Sequence, residues 1–289
     1  MQRVTTILSI QSSVAYGHVG NSAATFPLMR RGYEVMPVIT VHFSNHTGYG
    51  AWRGPVLQAA DIVDVVTGID ERGALAHVDG VLSGYQGAEE TGQAVLQALA
   101  LVRRRNPRAE YCCDPVMGDV GRGFYVRPGI PEFMRDTVVP AADIVTPNQF
   151  ELAFLADTPI ASLSDVLTAA DRIRAQGPGL VLVTSVEVPE LATDGPGVSM
   201  VAVDAHGAWA VTTPKLDRNF TGSGDLTAST FFSEHLSGAD AASALATTAA
   251  VVYAVLRITD ESGQAELALV AAQDAIASPP EQFAVQKLR

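Results

Sequence analysis

Short apolar runs alternate with longer segments of helical periodicity through the first two thirds of the chain. The apolar runs have the length of buried strands, and the segments between them repeat apolar residues every three or four positions. Strands are predicted at residues 4–10, 35–41, 78–82, 109–113, 143–146 and 180–184. Helices are predicted at 21–31, 55–66, 88–105, 149–155 and 166–176. This repeated order predicts a mostly parallel sheet with helices on both faces.

The pattern changes near residue 198. Residues 198–203 and 208–213 read as two strands joined by Asp204-Ala205-His206-Gly207, which predicts an antiparallel hairpin at a sheet edge. Helices are then predicted at 226–235, 239–257 and 264–277, and loops at 118–129 and 186–197. The loop at 118–129 follows a strand end, where α/β proteins place ligands. Because no linker divides the chain, residues 1–289 are predicted to form a single domain.

Composition and charge narrow the function classes. Of the 289 residues, 47% are hydrophobic and 17% charged, which is typical of a folded protein and not of a disordered one. The 19 Lys and Arg against 31 Asp and Glu give a net charge of −12. Nucleic-acid binding needs clustered cations, so no nucleic-acid partner is expected.

Cysteine usage and hydropathy bear on the compartment. Cys112 and Cys113 are adjacent, and this spacing fits neither a disulfide framework nor a zinc site. The first ten residues lack the apolar stretch of a signal peptide, and no run reaches membrane-spanning length. A cytoplasmic protein without a membrane partner is therefore expected.

Several common catalytic motifs are missing from the sequence. There is no Gly-Lys dipeptide, and so no Walker A loop. Thr221 stands where a Gly-x-Ser-x-Gly elbow around Ser223 would need glycine. His42 and His46 are four residues apart but lack the glutamate of a zinc-protease helix. P-loop ATPases, serine hydrolases and zinc proteases are therefore disfavoured.

The segment Gly222-Ser223-Gly224-Asp225 carries the most chemical information. Its glycines let the backbone approach a ligand, and Asp225 opens a run of helix-forming residues. The unpaired N–H groups of a helix N-terminus form an anion site without lysine. A carboxylate beside that site can take a proton from an incoming hydroxyl, which is most of what phosphoryl transfer requires. The alternative is an ordinary loop ending in a helix cap.

Six segments in order carry a resemblance to a known family. They are SIQSSVAYGHVGNSA at 9–23, VHFSNHTGY at 41–49, LSGY at 82–85, CDPVMGD at 113–119, IVTPNQFE at 144–151 and NFTGSGDLTAS at 219–229. Over nearly its whole length the chain resembles the pyridoxal kinases of the ribokinase-like superfamily. The resemblance implies a three-layer α/β/α fold with a mostly parallel central sheet and an antiparallel edge hairpin. It also implies ATP-dependent phosphorylation of the 5′-hydroxymethyl group of pyridoxal, in vitamin B6 salvage.

The resemblance further implies roles for individual residues. Asp225 would be the catalytic base, and Gly222, Ser223 and Gly224 would bind the transferring phosphoryl group through their N–H groups. The vitamer would contact Ser12, which would bind the ring nitrogen, together with Val19, Thr47, Tyr85 and Thr221. ATP would contact Asp114, Asp119, Asn148, Glu151, Thr184, Ser185 and Leu216. Residues 117–129 would form a flap over the phosphates.

Cofactors and assembly follow from the same resemblance. ATP and Mg²⁺ are expected, with Asp114, Glu151 and Thr146 as the metal residues. Carboxylates plus water and phosphate oxygens are the ligands that Mg²⁺ prefers. A monovalent cation, K⁺ or Na⁺, would lie near Thr146 and Thr184. A homodimer is expected as the assembly.

Two positions depart from the pattern of some family members. Thr184 stands where one branch has lysine, and Phe124 stands where others carry a reactive cysteine. Covalent capture of an aldehyde at Phe124 is therefore not expected. The alternatives are a hydroxymethylpyrimidine kinase of the same superfamily and a non-catalytic vitamer-binding protein. The first would share Asp225, and the second would not need it.

Overall fold

The computed structural model describes residues 3–192 and 196–289. The strands are β1 Thr6–Val14, β2 Glu34–Phe43, β3 Gly80–Ser83, β4 Glu110–Cys113, β5 Gly118–Asp119, β6 Gly123–Phe124, β7 Ile144–Val145, β8 Leu180–Val186, β9 Gly197–Val203, β10 Ala208–Pro214 and β11 Val285–Lys287. The α-helices are α1 Asn21–Arg30, α2 Ala59–Glu71, α3 Glu89–Arg105, α4 Ile130–Phe133, α5 Val139–Ala141, α6 Gln149–Leu155, α7 Leu163–Arg174, α8 Ser223–Leu236, α9 Ala241–Ser262 and α10 Gln273–Ala277. Short 3₁₀ turns lie at Thr47–Tyr49, Ala74–His77 and Pro189–Leu191.

Nine strands form one sheet in the order β11-β10-β9-β8-β7-β4-β3-β1-β2. From β2 to β8 every neighbouring pair is parallel, and β8, β9, β10 and β11 pair antiparallel. Strands β5 and β6 form a separate antiparallel hairpin. The mostly parallel sheet predicted from the alternating pattern is confirmed.

Helices cover both faces of the sheet because successive strand residues point to opposite sides. Ile7 packs with Leu28 of α1 and Phe231 of α8 on one face. Its neighbour Leu8 packs with Val66 of α2 on the other face. Each face therefore has its own buried cluster, as a three-layer α/β/α arrangement requires.

The predicted elements differ from the structure mainly at their ends. Strand β1 continues to Val14, so Ser12 belongs to the strand itself. Helix α2 begins at Ala59, not at residue 55. Helix α8 begins at Ser223, three residues earlier than predicted, which places Ser223 and Gly224 inside its first turn.

The helix predicted over 264–277 is wrong for most of its length. Helix α9 ends at Gly263, whose φ of 65° is the left-handed conformation typical of a helix C-terminus. Residues 264–272 then run irregularly, and helix α10 covers only the last part of the prediction. Leu267 and Leu269 of this irregular segment are buried against α8 and α9.

The predicted hairpin of β9 and β10 is confirmed, but it does not lie at the sheet edge. Strand β11 pairs with β10 and forms the edge instead. The pattern also missed the stretch from Ile130 to Ala141, where α4, a π-helical turn and α5 follow one another. The loop predicted at 186–197 contains the 3₁₀ turn Pro189–Leu191, and residues 193–195 lie outside the described residues.

One helix, α9, is long and apolar enough to cross a membrane by length and composition alone. Just over half of its most apolar window, 56%, is buried inside the protein. A core helix passes the same test, so this is weak support for a membrane segment.

Candidate active site

The predicted site residues lie at one edge of the sheet. Ser12 lies near the end of β1, Asp114 follows β4, Thr146 follows β7 and Thr184 lies near the end of β8. These strands are parallel, so their carboxyl ends meet at the same edge. An open parallel sheet binds its ligands at this edge.

The start of helix α8 forms the centre of the site. Gly222 precedes the helix with a φ of 88°, in the left-handed region that favours glycine. A Cβ at Gly222 would overlap the carbonyl oxygen of His18. The loop before α1 and the start of α8 are therefore in backbone contact. In the first turn of α8, the Ser223 N–H donates to the Phe220 carbonyl at 3.3 Å, and the Gly224 N–H has no partner one turn back within the helix.

Asp225 lies in this first turn and is half-buried. The backbone N–H groups of Gly20 and of Asp225 itself lie close enough to favour its ionised form. Burial raises the pKa of Asp225 to about 6, and these two donors oppose the rise. Gly20 also contacts Ser12, since a Cβ at Gly20 would overlap the Ser12 carbonyl oxygen and Oγ. Gly20 thus joins the predicted base to the predicted vitamer-binding serine.

Asp114 is a second carboxylate at this edge and is only 6% exposed. Thr146 donates a hydrogen bond to Asp114 Oδ1 over 3.0 Å. Burial and the nearby charge of Asp225 raise the pKa of Asp114 to about 8. Two predicted site residues from β4 and α8 are therefore close enough to affect each other's ionisation.

Glu151 is buried and held by backbone donors. Its carboxylate accepts from the N–H of Met117 at 2.8 Å, of Gly118 at 3.4 Å and of Asn148 at 2.9 Å. The Asn148 side chain accepts from the Glu151 N–H at 2.9 Å, which completes a capping box on α6. Burial and then Asp114 raise the pKa of Glu151, and the three N–H donors oppose the rise.

The segment predicted as a flap carries the β5–β6 hairpin. Asn148 Nδ2 donates to the carbonyl of Gly118 at 2.8 Å and to Asp119 Oδ1 at 3.3 Å. Phe124 stands at the position where some family members carry a reactive cysteine. Its ring packs edge-on against Phe150 and Phe154, with ring centroids 5.0 Å apart in both pairs. An aromatic contact therefore attaches the hairpin to helix α6.

Tyr125 is a residue of this flap that the sequence did not assign. Its N–H donates to the carbonyl of Met117 at 3.0 Å. Burial and the charges of Glu151, Asp119, Asp114 and Asp225 raise the pKa of the Tyr125 phenol. Its hydroxyl therefore stays protonated beside the carboxylates. The only sequence signal was an aromatic residue next to the glycines of the flap.

Thr184 and Ser185 lie where β8 leaves the regular sheet. The Thr184 N–H donates to the Pro147 carbonyl at 2.9 Å. The register between β8 and β9 shifts here, and Ser185 has a φ of 52°. Left-handed non-glycine residues are uncommon and collect at functional sites. The strain agrees with the prediction that this corner contacts a ligand.

Leu216 lies farther along the same side of the molecule. It is half-buried and packs on the cluster that contains Phe220 and Leu226 of α8. The segment that approaches α8 therefore places an apolar side chain beside the helix whose start forms the site.

The residues predicted to bind the vitamer surround the end of β1. Val19 is buried, and Thr47 is exposed in its 3₁₀ turn. Burial raises the pKa of Tyr85, and the positive charge of Arg127 opposes that rise. Arg127 belongs to the flap, so the flap reaches towards the vitamer side as well as the carboxylates. Thr221 is exposed immediately before Gly222.

No group of three or more His, Cys, Asp and Glu side chains within residues 3–192 and 196–289 is arranged to hold a metal ion. The carboxylates of Asp114 and Glu151 face the same edge of the sheet but do not form a closed cage. Mg²⁺ usually binds through one or two carboxylates plus water and phosphate oxygens, so this arrangement is compatible with it.

Comparison with known proteins gives the family. The family model described as phosphomethylpyrimidine kinase matches residues 78–269. Pyridoxal kinase PdxY of Rubrobacter xylanophilus is 54% identical over 282 residues, covering 98% of this chain and 97% of that protein. The chain belongs to the pyridoxal kinase family. PdxY of Leifsonia xyli is 52% identical, covering 98% of this chain and 99% of its own. The resemblance noted in the six segments is confirmed.

Solved structures confirm the ribokinase-like fold expected for this kinase. Pyridoxal kinase from Leishmania donovani, in complex with ADP and pyridoxamine, has a TM-score of 0.89 at 28% identity, covering 99% of this chain and 100% of that one. A putative phosphomethylpyrimidine kinase from Bacteroides thetaiotaomicron also has a TM-score of 0.89, at 23% identity, covering 99% of both chains. The second likeness shows the fold alone.

Proposed function

We propose that this kinase transfers the γ-phosphoryl group of ATP to the 5′-hydroxymethyl group of pyridoxal, giving pyridoxal 5′-phosphate. Relatives named pyridoxal kinase match it along almost their whole length, and Leishmania donovani relatives were solved with ADP and either pyridoxamine or pyridoxine. The observation that carries the proposal is that Gly20 lies next to both Asp225 and Ser12. A base and a ring-binding residue stand on opposite sides of one glycine.

Asp225 acts as the base in this reaction. With a pKa of about 6 it is mostly ionised at neutral pH, yet more basic than a solvent-exposed aspartate. It accepts the proton of the 5′-hydroxyl as that oxygen bonds to the γ-phosphorus. The bond from the γ-phosphorus to the β–γ bridging oxygen breaks, and ADP leaves. The N–H groups of Gly222, Ser223 and Gly224 stabilise the charge on the transferring group.

The vitamer lies over the end of β1 in this proposal. Ser12 binds the pyridine nitrogen, and Val19 and Tyr85 enclose the ring. Thr47 and Thr221 offer hydroxyl groups to its polar substituents. Burial of Ser12 and Val19 supports a desolvated pocket on this side, where a few polar groups can set orientation.

The nucleotide lies on the side of β4, β7 and β8. Asp114, Asp119, Asn148 and Glu151 face its phosphates, Thr184 and Ser185 contact them from the corner of β8, and Leu216 packs on the adenine. Asp114 accepts one side-chain hydrogen bond, from Thr146, and is left with a second carboxylate oxygen.

The donor set fits a magnesium ion. Asp114 binds it, with Thr146 alongside, while Glu151 acts through water because its own oxygens accept three backbone N–H groups. Bound Mg²⁺ would neutralise phosphate charge, which a protein of net charge −12 needs. We place a monovalent cation, K⁺ or Na⁺, near Thr146 and Thr184 at the adjacent ends of β7 and β8.

The proposal extends to the domain organisation, the compartment and the assembly of the enzyme. Residues 1–289 act as one kinase domain, which is supported by the single nine-stranded sheet that joins β1 to β11. The enzyme works in vitamin B6 salvage, in the cytoplasm, as a homodimer, and it binds neither nucleic acid nor membrane. Pyridoxine and pyridoxamine are further substrates.

A hydroxymethylpyrimidine kinase remains the second candidate because the matching family model, described as phosphomethylpyrimidine kinase, also concerns a methylpyrimidine substrate. Steady-state phosphorylation of pyridoxal, pyridoxine, pyridoxamine and hydroxymethylpyrimidine, with MgATP and again with EDTA, separates the candidates. We expect the highest kcat/KM with pyridoxal and loss of activity in EDTA that Mg²⁺ restores. A preference for the pyrimidine contradicts the proposed substrate, and binding without turnover indicates a vitamer-binding protein.

A further inference from the structure

Glu266 makes long-range contacts that the reaction described above does not use. It lies in the irregular segment after α9, and its side chain is half-buried. Its Oε2 accepts a hydrogen bond from the N–H of His18 at 3.1 Å. Its Oε1 accepts another from the hydroxyl of Tyr49 at 2.6 Å. One carboxylate therefore holds two separate loops.

Both loops carry residues assigned to the vitamer. His18 immediately precedes Val19 and Gly20, and Tyr49 closes the 3₁₀ turn that contains Thr47. The Glu266 carboxylate packs directly against the backbone of the first loop, because a Cβ at Gly17, whose φ is 92°, would overlap Glu266. Donation to the Glu266 carboxylate also raises the pKa of Tyr49 to about 12, so this hydroxyl remains a donor.

The same segment reaches the start of α8. A Cβ at Gly222 would come within 3.3 Å of Leu267 Cδ1, and Gly222 itself packs against the His18 carbonyl. The N–H of Ala268 donates to Thr259 Oγ1 at 2.9 Å, and Thr259 donates to Val255 at 2.7 Å. Glu266 thus stands on a segment that is fixed to the core of α9.

We propose that Glu266 is a positioning residue for the vitamer pocket. It sets the distance between the Val19 loop and the Thr47 turn, and it holds both beside the helix start that receives the phosphoryl group. Because it touches neither the reacting atoms nor the nucleotide side, it acts on vitamer binding. This inference rests on the proposed function, since it takes the pocket at the end of β1 to be the vitamer pocket.

The test compares four variants in steady-state kinetics with pyridoxal and ATP varied separately. Glu266→Ala removes both hydrogen bonds, Tyr49→Phe removes one, and Glu266→Gln keeps the shape. The amide of glutamine can accept from His18 with its oxygen and donate to the Tyr49 hydroxyl with its nitrogen. Glu261→Ala is the matched control, because Glu261 pairs with Arg257 on the exposed end of α9.

We expect Glu266→Ala to raise the KM for pyridoxal about tenfold, the scale of losing hydrogen bonds to a charged group. The KM for ATP should stay within about twofold, Tyr49→Phe should be intermediate, and Glu266→Gln should recover most of the loss. Thermal melting of each variant checks that the fold is kept.

Three outcomes would overturn the inference. They are an unchanged KM for pyridoxal in Glu266→Ala, equal rises in both KM values, and a Glu266→Gln variant as impaired as the alanine variant. If the wild-type enzyme phosphorylates no vitamer, the proposed function fails and the inference fails with it. If the wild type is active and Glu266→Ala matches Glu261→Ala, only the inference fails.

Discussion

The two ends of the proposed active site, one for the phosphates and one for the vitamer, are built in different ways. At the phosphate end, Asp114 and Glu151 are almost fully buried and their hydrogen-bond partners come from the neighbouring strand and helix ends. At the vitamer end, the loop at Val19 and the turn at Thr47 depend on Glu266, which is 248 residues from His18 and 217 from Tyr49. The hydrogen bonds of Asp114 and Glu151 span at most 34 residues of the chain, whereas those of Glu266 span 217 and 248 residues.

Because of this difference, the phosphate end is characterised by the ionisation of its carboxyl groups and the vitamer end by the positions of its loops. Burial raises the pKa values of Asp114 and Glu151, which means that their negative charges are unfavourable in the fold. A bound cation would stabilise these charges. At the vitamer end, hydrogen bonds to Glu266 join a partly buried loop at His18 to an exposed turn at Tyr49. Changes at the phosphate end should therefore alter pH and metal dependence, and changes at the vitamer end should alter substrate affinity.

The largest effect is expected at Asp225, where the two ends meet. Asp225→Asn keeps the shape and removes the base, so kcat should fall at least about 10²-fold. The KM values for pyridoxal and ATP should change much less, because the binding contacts remain. Asp217→Asn, at an exposed position before α8, is the matched control. Turnover near the wild-type rate in Asp225→Asn would rule out its role as base.

A second prediction concerns the two glycines at the start of α8. Gly222→Ala should destabilise the protein by about 2 kcal/mol or more, because alanine is strained at a φ of 88° and would overlap the His18 carbonyl. Gly224→Ala meets no atom within 4 Å, and alanine favours the helix by up to about 1 kcal/mol. Urea denaturation of both variants checks this contrast. Equal stability would mean that the Gly222–His18 contact is unimportant.

The smallest effect is a pH dependence of stability without metal. Asp114 ionises near 3.8 when exposed and at about 8 in the fold, so its ionisation favours the unfolded chain. The stability it contributes is complete below about pH 4 and is lost as the pH rises to about 8. In EDTA, Asp114→Asn should therefore gain at least about 1 kcal/mol over the wild type between pH 5 and pH 8.

Melting temperatures of the two proteins across this pH range measure that gain. Asp136→Asn is a suitable control, because Arg135 lowers the pKa of that exposed carboxylate. A constant difference between Asp114→Asn and wild type would contradict a raised pKa at Asp114. Added Mg²⁺ should stabilise the wild type more than Asp114→Asn, because the ion needs the carboxylate.

The contacts around Glu151 are easier to expect from the sequence than those around Glu266, for a physical reason. Asn148 and Glu151 are three residues apart and cap the same helix, so a short motif contains their whole arrangement. The mostly parallel sheet likewise follows from the alternation of apolar runs with helical segments, although the strand order does not. Glu266 belongs to no such motif, because its partners are far away in the chain and come together only in the fold.

The other errors in the predictions from the sequence have their own physical causes. Residues 264–272 contain buried apolar residues, Leu267 and Leu269, that pack from an irregular segment, so reading the whole stretch 264–277 as one helix was wrong. Strand β11 has only three residues, too few for a pattern of alternation. Tyr125 was missed because its importance comes from four carboxylates on other elements.

Because Glu151 is part of a capping box, its side chain affects both the proposed metal site and the local structure around helix α6. The carboxylate that lies beside the proposed magnesium site is also the group that starts helix α6 and fastens the base of the flap through Met117 and Gly118. A neutral replacement would weaken catalysis and loosen this corner together. Loss of activity at position 151 thus has two sources, and kinetics alone do not separate them.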